Sequence, residues 1–535
     1  MPRARGAQLH AHHDGGGLRA DVPLPARHGE AGAAAVRMTT LRRVVEERPL
    51  LAVLILAAVL RLVAAVFSRG FLTVDDHLVL VDSADRLASG IPFPPDYKRS
   101  ILYPGSVALL MTGMRALGNT SPDIEMLVLR LAHAAGAVLG VYFAFRIVER
   151  VAGKDSAVLA GLLVATFFPL PVTSVHQFEE AVCQVPLLAG CWWLLKADDA
   201  QRGAGVWSFL SGAATMTTLV LRFPALPFVL SFAALALWRP AQRFRKSSFV
   251  LGLLAVFALQ AASNAVLSGD PWYFFFETAG HRAGVGVGYP EGPPWKYIGT
   301  LVYIFLPPFS LLLLAAAIQG GRMFPLLGLS TLGFLVATSL VPNKQERFLL
   351  PVLPALLMLG AIGMPAVRDW FERRGWVTAY RWSWAYFVGL NTLLLGVGLF
   401  SYGKKDRVEP LVQVQGRHDA TGVVEAQFAY TFPVPAYYLG RPRPPVFVLK
   451  DRNAVGRDAA AVRAAPRSPN YLILYSDSVS ADTRLLERAL GARLAPVAAV
   501  EPSVGDELAH LINPRHNHAT QAVVLSVMPL TATSR

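Results

Sequence analysis

The feature that most constrains this chain is a series of apolar runs, each long enough to cross a membrane as a helix. A hydrocarbon core of about 30 Å needs roughly 20 helical residues. Runs of about that length lie at approximately 49–67, 126–145, 156–172, 181–195, 205–221, 224–238, 248–267, 298–318, 323–341, 348–366 and 384–402. The sequence therefore predicts an α-helical polytopic membrane protein with about 11 spans.

Composition excludes the main soluble classes. Of the 535 residues, 53% are apolar and only 16% are charged, whereas an average soluble protein is about 25% charged. The two cysteines, Cys183 and Cys191, both lie in an apolar run and cannot supply a disulfide framework for a chain of this size. No Walker loop, zinc-type cluster or dinucleotide-binding glycine motif in a strand–helix context is found in the sequence.

The basic residues are distributed in a way that predicts membrane topology. The net charge of +14 could by itself suggest nucleic-acid binding. With the N-terminus in the cytoplasm, however, the short loops 146–154, 196–202, 239–246, 319–322 and 368–381 hold 14 basic residues. The opposite loops, 68–104, 173–180, 222–223, 268–297 and 342–347, are about twice as long in total and hold 9. This asymmetry follows the positive-inside rule, so we expect no nucleic-acid partner.

Three regions are predicted along the chain. Residues 1–48 are basic, without apolar periodicity, and are predicted to be disordered, with Met38 as an alternative natural start. Residues 49–402 form the multi-span module, in which the run at 101–118 is assigned to the first external loop because counting it as a span would invert the later loops. Residues 403–535 alternate short β-like runs with charged, Ala-rich stretches and predict a small external α/β domain.

An acidic pair follows the first span. Asp75 and Asp76 are adjacent carboxylates in the first external loop. One could act as a general base, because the charge of its neighbour raises its pKa. The alternative is a solvated acidic pair that caps a helix.

Cations occur where external loops re-enter the membrane. Lys98 and Arg99, with Tyr103 close behind, could bind a lipid phosphate, or they could be interfacial anchors. Arg222 could likewise contact a phosphate, or it could mark the boundary of a span. Lys344 and Arg347 could together neutralise a phosphate leaving group, with Glu346 orienting one of them; the alternative is a charged turn.

Two further external loops carry residues suited to sugar or acceptor binding. The first has His176, Glu179 and Glu180, for which ordinary loop polarity is the alternative. The loop at 268–297 is rich in aromatic residues and contains His281, Arg282 and Trp295. Aromatic side chains suit stacking on sugars, and they equally suit an interfacial belt.

Together these motifs resemble the GT-C superfamily of membrane glycosyltransferases, and in particular its branch that uses dolichol-phosphate mannose. Thr73-Val74-Asp75-Asp76 occupies the place of the branch's His-Pro-Asp-Glu-like motif, without the histidine. Arg99-Ser100-Ile101-Leu102-Tyr103-Pro104 is similar to Arg-Ser-Tyr-Leu-Tyr-Pro. Asn343-Lys344-Gln345-Glu346-Arg347-Phe348, with Pro351 and Pro354, is similar to His-Lys-Glu-Glu-Arg-Phe and its prolines. The resemblance spans roughly 45–370, and a bacterial relative in the inner membrane that uses a polyprenyl-phosphate sugar fits equally well.

The resemblance implies a reaction and a role for each motif. Asp75 or Asp76 would activate an acceptor hydroxyl, which attacks the anomeric carbon with inversion. Lys98, Arg99, Lys344 and Arg347 would stabilise the departing lipid phosphate, and His281 or Trp295 would contact sugar or acceptor. The implied partners are a lipid-phosphate-linked sugar, a glycan, lipid or protein acceptor, and the membrane. No cofactor is implied with certainty, because divalent metal use varies in the superfamily.

A second class of function fits the same hydropathy. A lipid or polysaccharide transporter or flippase would also be polytopic, but it needs ionisable residues along a path through the membrane. The candidates for such a path are few: Arg61, Arg130 and His133. The concentration of polar residues in loops on one face favours the enzyme.

Overall fold

The computed structural model describes residues 47–73, 76–92, 99–119, 121–240, 243–273, 291–514 and 517–529, with Asp76, Ser268 and Pro529 described by their backbone alone. Four predicted site residues, Asp75, Lys98, His281 and Arg282, lie outside this set, as does almost all of the N-terminal segment 1–48. Every structural statement below refers to the described residues.

The apolar runs form helices, as the bilayer requires of a backbone that finds no water to bind. The helices before residue 270 are α1 (Pro49–Phe67), α2 (Asp82–Leu87), α3 (Leu102–Ala116), α4 (Pro122–Thr166), α5 (Pro169–Thr173), α6 (Glu179–Val182), α7 (Gln184–Asp199), α8 (Ala204–Leu221), α9 (Leu226–Trp238) and α10 (Lys246–Ser268). Those that follow in the helical module are α11 (Lys296–Ile304), α12 (Phe309–Met323), α13 (Pro325–Leu340), α14 (Leu353–Arg373) and α15 (Val377–Leu399).

The predicted number of about 11 spans is not confirmed. Within the described residues six helices are long and apolar enough to cross a membrane, or seven if α11 and α12, which meet at 113°, form one broken span. The run at 126–145 lies in α4, and the run at 156–172 covers the end of α4 and most of α5. α4 is divided at Gly153, between these two runs, where φ is 83°, but it is counted once among the six. The runs at 224–238 and 323–341 give shorter helices.

Helix α14 is the centre of the bundle. It continues a 3-10 segment, Glu346–Val352, and 94% of its most apolar window is buried inside the protein. Helix α12 crosses it so closely that a Cβ at Gly363 would overlap the carbonyl oxygen of Ala316. The 3-10 segment therefore holds Glu346 and Arg347 at one end of the most enclosed helix.

All three ionisable residues noted inside apolar runs are bonded to backbone carbonyls; His133 Nδ1 lies 2.7 Å from the carbonyl oxygen of Leu129. The Arg61 guanidinium donates to the carbonyl oxygens of Ala57, Val164 and Ala165. Arg130 Nε donates to that of Ala65 over 2.7 Å. These contacts give both cations a structural role where α1 packs on α4.

The C-terminal region folds as the α/β structure that the sequence predicts. It contains α16 (Lys405–Gln415), β1 (Val423–Gln427), β2 (Val446–Leu449), α17 (Val455–Arg463), β3 (Tyr471–Tyr475), α18 (Val479–Leu490), β4 (Ala492–Val500), α19 (Val504–Ile512) and β5 (Ala522–Pro529). The strand order is β2-β1-β3-β5-β4; β1 is parallel to β2 and β3, and β5 is antiparallel to β3 and β4.

Alternate residues of the sheet enter two different cores, as the period of a strand requires. Val424, Leu472 and Leu474 face the α17 and α18 side. Val423, Ile473 and Tyr475 belong to a second core, which also contains Leu80, Tyr103 and Met111 from the connection between α1 and α4 (residues 68–121). The sheet region therefore packs directly on the connection that carries Asp75 and Asp76.

Candidate functional site

The candidate site is built around two adjacent glutamates and one arginine. One short helical turn, α6, carries Glu179 and Glu180, and Arg222 follows the last residue of α8. Arg222 Nη1 is 2.9 Å from Glu179 Oε2, and its Nη2 is 2.6 Å from Glu180 Oε1. All three side chains are buried. Paired charges of this kind hold each other inside a protein, because either alone would be costly to bury.

Two more arginines reach the same carboxylates from distant segments. Arg99 Nη1 is 3.3 Å from Glu179 Oε2, and Arg347 Nε is 3.6 Å from Glu180 Oε1. We call these five residues the site cluster: Arg99, Glu179, Glu180, Arg222 and Arg347. Within the described residues, three guanidinium groups here face two carboxylates. The site cluster can therefore attract an anion with several ionic oxygens.

The site cluster is joined to the segment that precedes the acidic pair. Arg347 Nη1 donates to Thr73 Oγ1 over 3.0 Å, and its Nε donates to Gln345 Oε1 over 2.8 Å. Thr73 lies two residues before Asp75. Arg347 is therefore bonded to the last described residue before the acidic pair; Asp75 and the side chain of Asp76 are outside the described residues.

The site cluster is not saturated with hydrogen bonds. Glu180 Oε2 and Arg222 Nε are buried, and neither has a hydrogen-bond partner. Native proteins pair nearly all buried polar atoms, so an orphaned acceptor beside an orphaned donor needs a reason. A substrate with both hydroxyl and anionic oxygens would satisfy the two atoms.

An apolar groove ends beside the site cluster. It encloses about 720 Å³ between α3, α4, α7 and α8. Ala181, Val182 and Leu221 form part of its wall, and they are the chain neighbours of Glu180 and Arg222. The groove also contains Tyr103, whose hydroxyl lies 2.6 Å from His133 Nε2. The groove therefore suits an apolar chain, and the adjoining site cluster suits an anionic head group on that chain.

Lys344 is engaged by the backbone. Its Nζ donates to the carbonyl oxygens of Thr338, Ser339 and Val341, where α13 ends. Burial, together with the nearby Lys296 ammonium, lowers the pKa of Lys344. A lysine over the last carbonyls of a helix is a helix-capping arrangement. The structure thus does not bring the Lys344 ammonium into the site cluster.

The other predicted residues lie around the cluster. Glu346 Oε1 is 3.9 Å from Lys296 Nζ, so it pairs with that lysine instead of orienting Lys344 or Arg347 as predicted. His176 Nε2 is 3.1 Å from Ser68 Oγ, and burial, with Arg130 nearby, lowers the pKa of His176 to about 3. Trp295 is largely exposed just before α11.

Sequence reasoning missed a second group of buried charges. Arg115 donates to Asp85 over 2.6 Å and to Glu125 over 2.7 Å and 2.9 Å. Arg441, Arg443 and Tyr437 of the sheet region complete this group. We call these six residues the tether cluster, because they join the α1–α4 connection to the sheet region. The available signal was Arg115, an ionisable residue inside an apolar run.

No grouping of three or more His, Cys, Asp or Glu side chains suited to a metal ion occurs among the residues that the structure describes.

Three solved structures share the fold at low sequence identity. ArnT from Cupriavidus metallidurans bound to undecaprenyl phosphate matches with a TM-score of 0.57 and 14% identity, over 89% of this chain and 97% of ArnT. The arabinofuranosyltransferase AftD from Mycobacteria gives 0.51 and 14%, over 90% of this chain and 40% of AftD. An Archaeoglobus fulgidus oligosaccharyltransferase tethered to an acceptor peptide gives 0.50 and 12%, over 84% of this chain and 72% of its own.

The sequence comparison assigns the family. No curated protein matches the chain significantly. A family model, described as the Alg9-like mannosyltransferase family, matches residues 52–413, which is more than half of the chain and includes the whole site cluster. The apolar helices agree with a multi-pass integral membrane enzyme. This chain therefore belongs to the Alg9-like mannosyltransferase family, a family of GT-C membrane glycosyltransferases.

Proposed function

We propose that the protein transfers a sugar from a polyprenyl-phosphate-linked donor to an acceptor hydroxyl, with inversion at the anomeric carbon. The observation that carries this proposal is the Arg347–Thr73 hydrogen bond, because it joins the arginine-rich site cluster to the segment of Asp75 and Asp76. Mannose is the sugar that the family description favours. The undecaprenyl phosphate bound by ArnT supports a lipid phosphate as the donor carrier.

The site cluster would hold the phosphate. Arg99, Arg222 and Arg347 converge on two carboxylates, and their positive charge can stabilise the negative charge that develops on the leaving phosphate. Glu179 and Glu180 would fix the guanidinium groups before the substrate arrives. The first isoprene units of the lipid would occupy the apolar groove beside Ala181 and Leu221. On the basis of sequence alone, we assign Lys98 the same phosphate-binding role as Arg99.

The acidic pair would supply the base. Asp75 or Asp76 takes the proton from the acceptor hydroxyl, and the oxygen attacks the anomeric carbon from the side opposite the phosphate. The bond between that carbon and the phosphate oxygen breaks, and the lipid phosphate leaves with the electron pair. The proton stays on the carboxylate until it is released to water. One displacement of this kind inverts the configuration.

Other predicted residues would act at a distance from the reacting atoms. Lys344 would position the turn that carries Arg347, because its ammonium is held by the carbonyl oxygens at the end of α13. His281, Arg282 and Trp295 remain proposed contacts for sugar or acceptor. The sheet region and the site would lie on the external face, with the N-terminus in the cytoplasm, as the distribution of Lys and Arg in the loops suggests.

Turnover of the donor tests this proposal. The protein in nanodiscs would receive a panel of polyprenyl-phosphate sugars, mannose included, with short oligosaccharide acceptors, and release of free lipid phosphate would be measured. We expect release by the unaltered protein and a loss of at least a hundredfold in Asp75→Asn or Asp76→Asn. Asp369→Asn, a half-exposed aspartate in the last turns of α14, is the matched control and should retain turnover.

Two outcomes would contradict the proposal. If no lipid-linked sugar is consumed, the protein does not have the proposed activity, and lipid translocation without consumption would favour the flippase alternative. If both aspartate variants keep full turnover, the base lies elsewhere.

A further inference from the structure

Helix α19 carries an apolar stripe that nothing in the described chain covers. Val504, Leu508, Leu511 and Ile512 recur at the spacing of one helix face, and their side chains are exposed by between 41% and 84%. The opposite face is polar and is packed against the protein through Gly505 and Asp506. An exposed stripe of large aliphatic residues on an otherwise folded helix indicates a surface that meets another apolar phase.

The helix is fixed to the point where the last candidate span ends. α15 ends at Leu399, and the backbone of Gly505 lies directly against Ser401. The Asp506 carboxylate accepts hydrogen bonds from the backbone N–H groups of Lys404, over 3.0 Å, and Lys405, over 3.3 Å. Ser503 caps the helix by accepting from the N–H of Asp506. The first turn of α19 is thereby held within a few residues of the end of a membrane-spanning helix.

The lipid-facing surface of the spans continues toward this helix. Phe67 ends α1 and Phe400 follows α15; both side chains are more than half exposed, and their ring centroids lie 5.3 Å apart. Leu393, two turns earlier in α15, is exposed as well. Because α15 is apolar and of spanning length, these side chains face lipid. The stripe of α19 thus begins beside an existing lipid-facing surface, which identifies the bilayer as the phase that covers it.

We propose that α19 lies in the membrane interface, with Val504, Leu508, Leu511 and Ile512 inserted at the boundary between headgroups and acyl chains. Short amphipathic helices bind membranes in this way, through buried apolar area. The sheet region would then be attached to the membrane at two points, at its covalent junction with α15 and through α19. This second attachment would limit rotation of the sheet region over the connection that carries Asp75 and Asp76. It does not depend on the glycosyl-transfer proposal.

Spin-label accessibility in the full-length protein tests the inference. The two native cysteines are buried, so replacing both by Ala leaves a background for single nitroxide labels. One label would be placed at Leu511→Cys, and a matched label at Arg457→Cys on α17, an exposed position elsewhere in the sheet region. Both residues point to the exterior, so neither label disturbs the fold. Each variant would be measured in nanodiscs that hold one chain, which excludes a second copy as the cover.

The collision rates of the labels with oxygen and with a water-soluble nickel chelate give the result. Oxygen concentrates in lipid and the chelate stays in water. We expect the ratio of oxygen to nickel collisions to be several-fold higher at position 511 than at 457. Equal ratios at the two positions would overturn the proposal, because the stripe would then face water. A label at 511 that meets neither reagent would also overturn it, since a protein surface would then cover the stripe.

Discussion

The site cluster and the tether cluster are both built on three arginines that face two buried carboxylates, and they differ in how completely those groups are bonded. In the tether cluster, both oxygens of Asp85 and both oxygens of Glu125 accept hydrogen bonds. Burial alone would raise the pKa of Asp85, but hydrogen bonds from Arg441 and Arg115 outweigh it and lower the pKa. In the site cluster, Glu180 Oε2 and Arg222 Nε are buried without partners.

The difference separates a structural group of charges from a binding group. A saturated cluster offers a substrate nothing, but it fixes the sheet region on the α1–α4 connection. The unsaturated cluster keeps an acceptor and a donor close to an apolar groove, where a bound substrate could pair with both. The predictions below test this distinction, beginning with the largest expected effect.

Removing the central cation of the tether cluster should destabilise the protein. Arg115→Gln leaves Asp85 and Glu125 with fewer cationic partners in a buried position. Breaking a buried ion pair on one side costs about 3–5 kcal/mol. We expect a marked fall in the thermal unfolding temperature, measured in detergent, and little change in turnover per folded molecule at low temperature. Arg381→Gln, an exposed arginine at the start of α15, is the control and should unfold as the unaltered protein does.

The corresponding change in the site cluster should act on catalysis. Arg347→Gln removes the guanidinium that contacts both Glu180 and Thr73. Loss of one electrostatic contact to a developing charge lowers kcat about 10²–10³-fold. We expect that loss in lipid phosphate release, with an unfolding temperature close to normal. Arg347→Lys should be intermediate, because it keeps the charge and loses the two-pronged geometry. A lower unfolding temperature with normal turnover would place Arg347 in the structural class.

Glu425, a buried carboxylate outside both clusters, shows the effect of burial without a cationic partner. Burial raises the pKa of Glu425, in β1, to about 7. The side-chain amide of Gln427 donates a hydrogen bond to Glu425 Oε2. The folded state then binds more protons than the unfolded state, so stability falls as pH rises from about 4.5 to about 7. We expect Glu425→Gln to stabilise the protein by up to about 3 kcal/mol above pH 7 and by much less near pH 5.

Thermal unfolding between pH 5 and pH 8 measures this difference. Exposed Glu507→Gln is the matched control and should show no such dependence on pH. A constant difference between Glu425→Gln and the unaltered protein across that range would contradict a raised pKa of Glu425 in the folded state.

The smallest expected effect concerns the aromatic member of the tether cluster. Tyr437→Phe removes a hydroxyl that donates to Glu125 Oε2 over 2.7 Å. Arg115 still bonds both oxygens of Glu125. A hydrogen bond to a charged group contributes about 1.5 kcal/mol at the low end of its range. We expect a small fall in unfolding temperature; a fall as large as that of Arg115→Gln would show that the hydroxyl, and not the arginine, dominates the cluster.

The local sequence pattern predicted the membrane class, the α/β region and the residue types of the site. These follow from run length and from the period of hydrophobicity, which are local properties. The number of spans does not follow from these properties alone, since α4 is divided at Gly153, between two runs, and α11 and α12 bend within one run.

The pairing of charges could not be read from the sequence. Glu180 and Arg222 were each identified as candidates, but more than 40 residues separate them, and only the packing of α6 against α8 brings them together. Lys344 and Arg347 are three residues apart, and the sequence predicts that both neutralise the phosphate leaving group. In the structure the Lys344 ammonium instead donates to backbone carbonyl oxygens at the end of α13, whereas Arg347 donates to the Thr73 hydroxyl.

Binding of the lipid phosphate itself tests the central distinction most directly. Undecaprenyl phosphate would be titrated into nanodiscs that hold the unaltered protein, Arg347→Gln, Arg115→Gln or Arg381→Gln, and the bound fraction would be measured by native mass spectrometry below the unfolding temperature of each variant. We predict that Arg347→Gln weakens binding at least tenfold, about 1.4 kcal/mol, while Arg115→Gln and Arg381→Gln bind normally. Equal affinity for all four proteins, or a loss confined to Arg115→Gln, would contradict the assignment of the site cluster as the phosphate site.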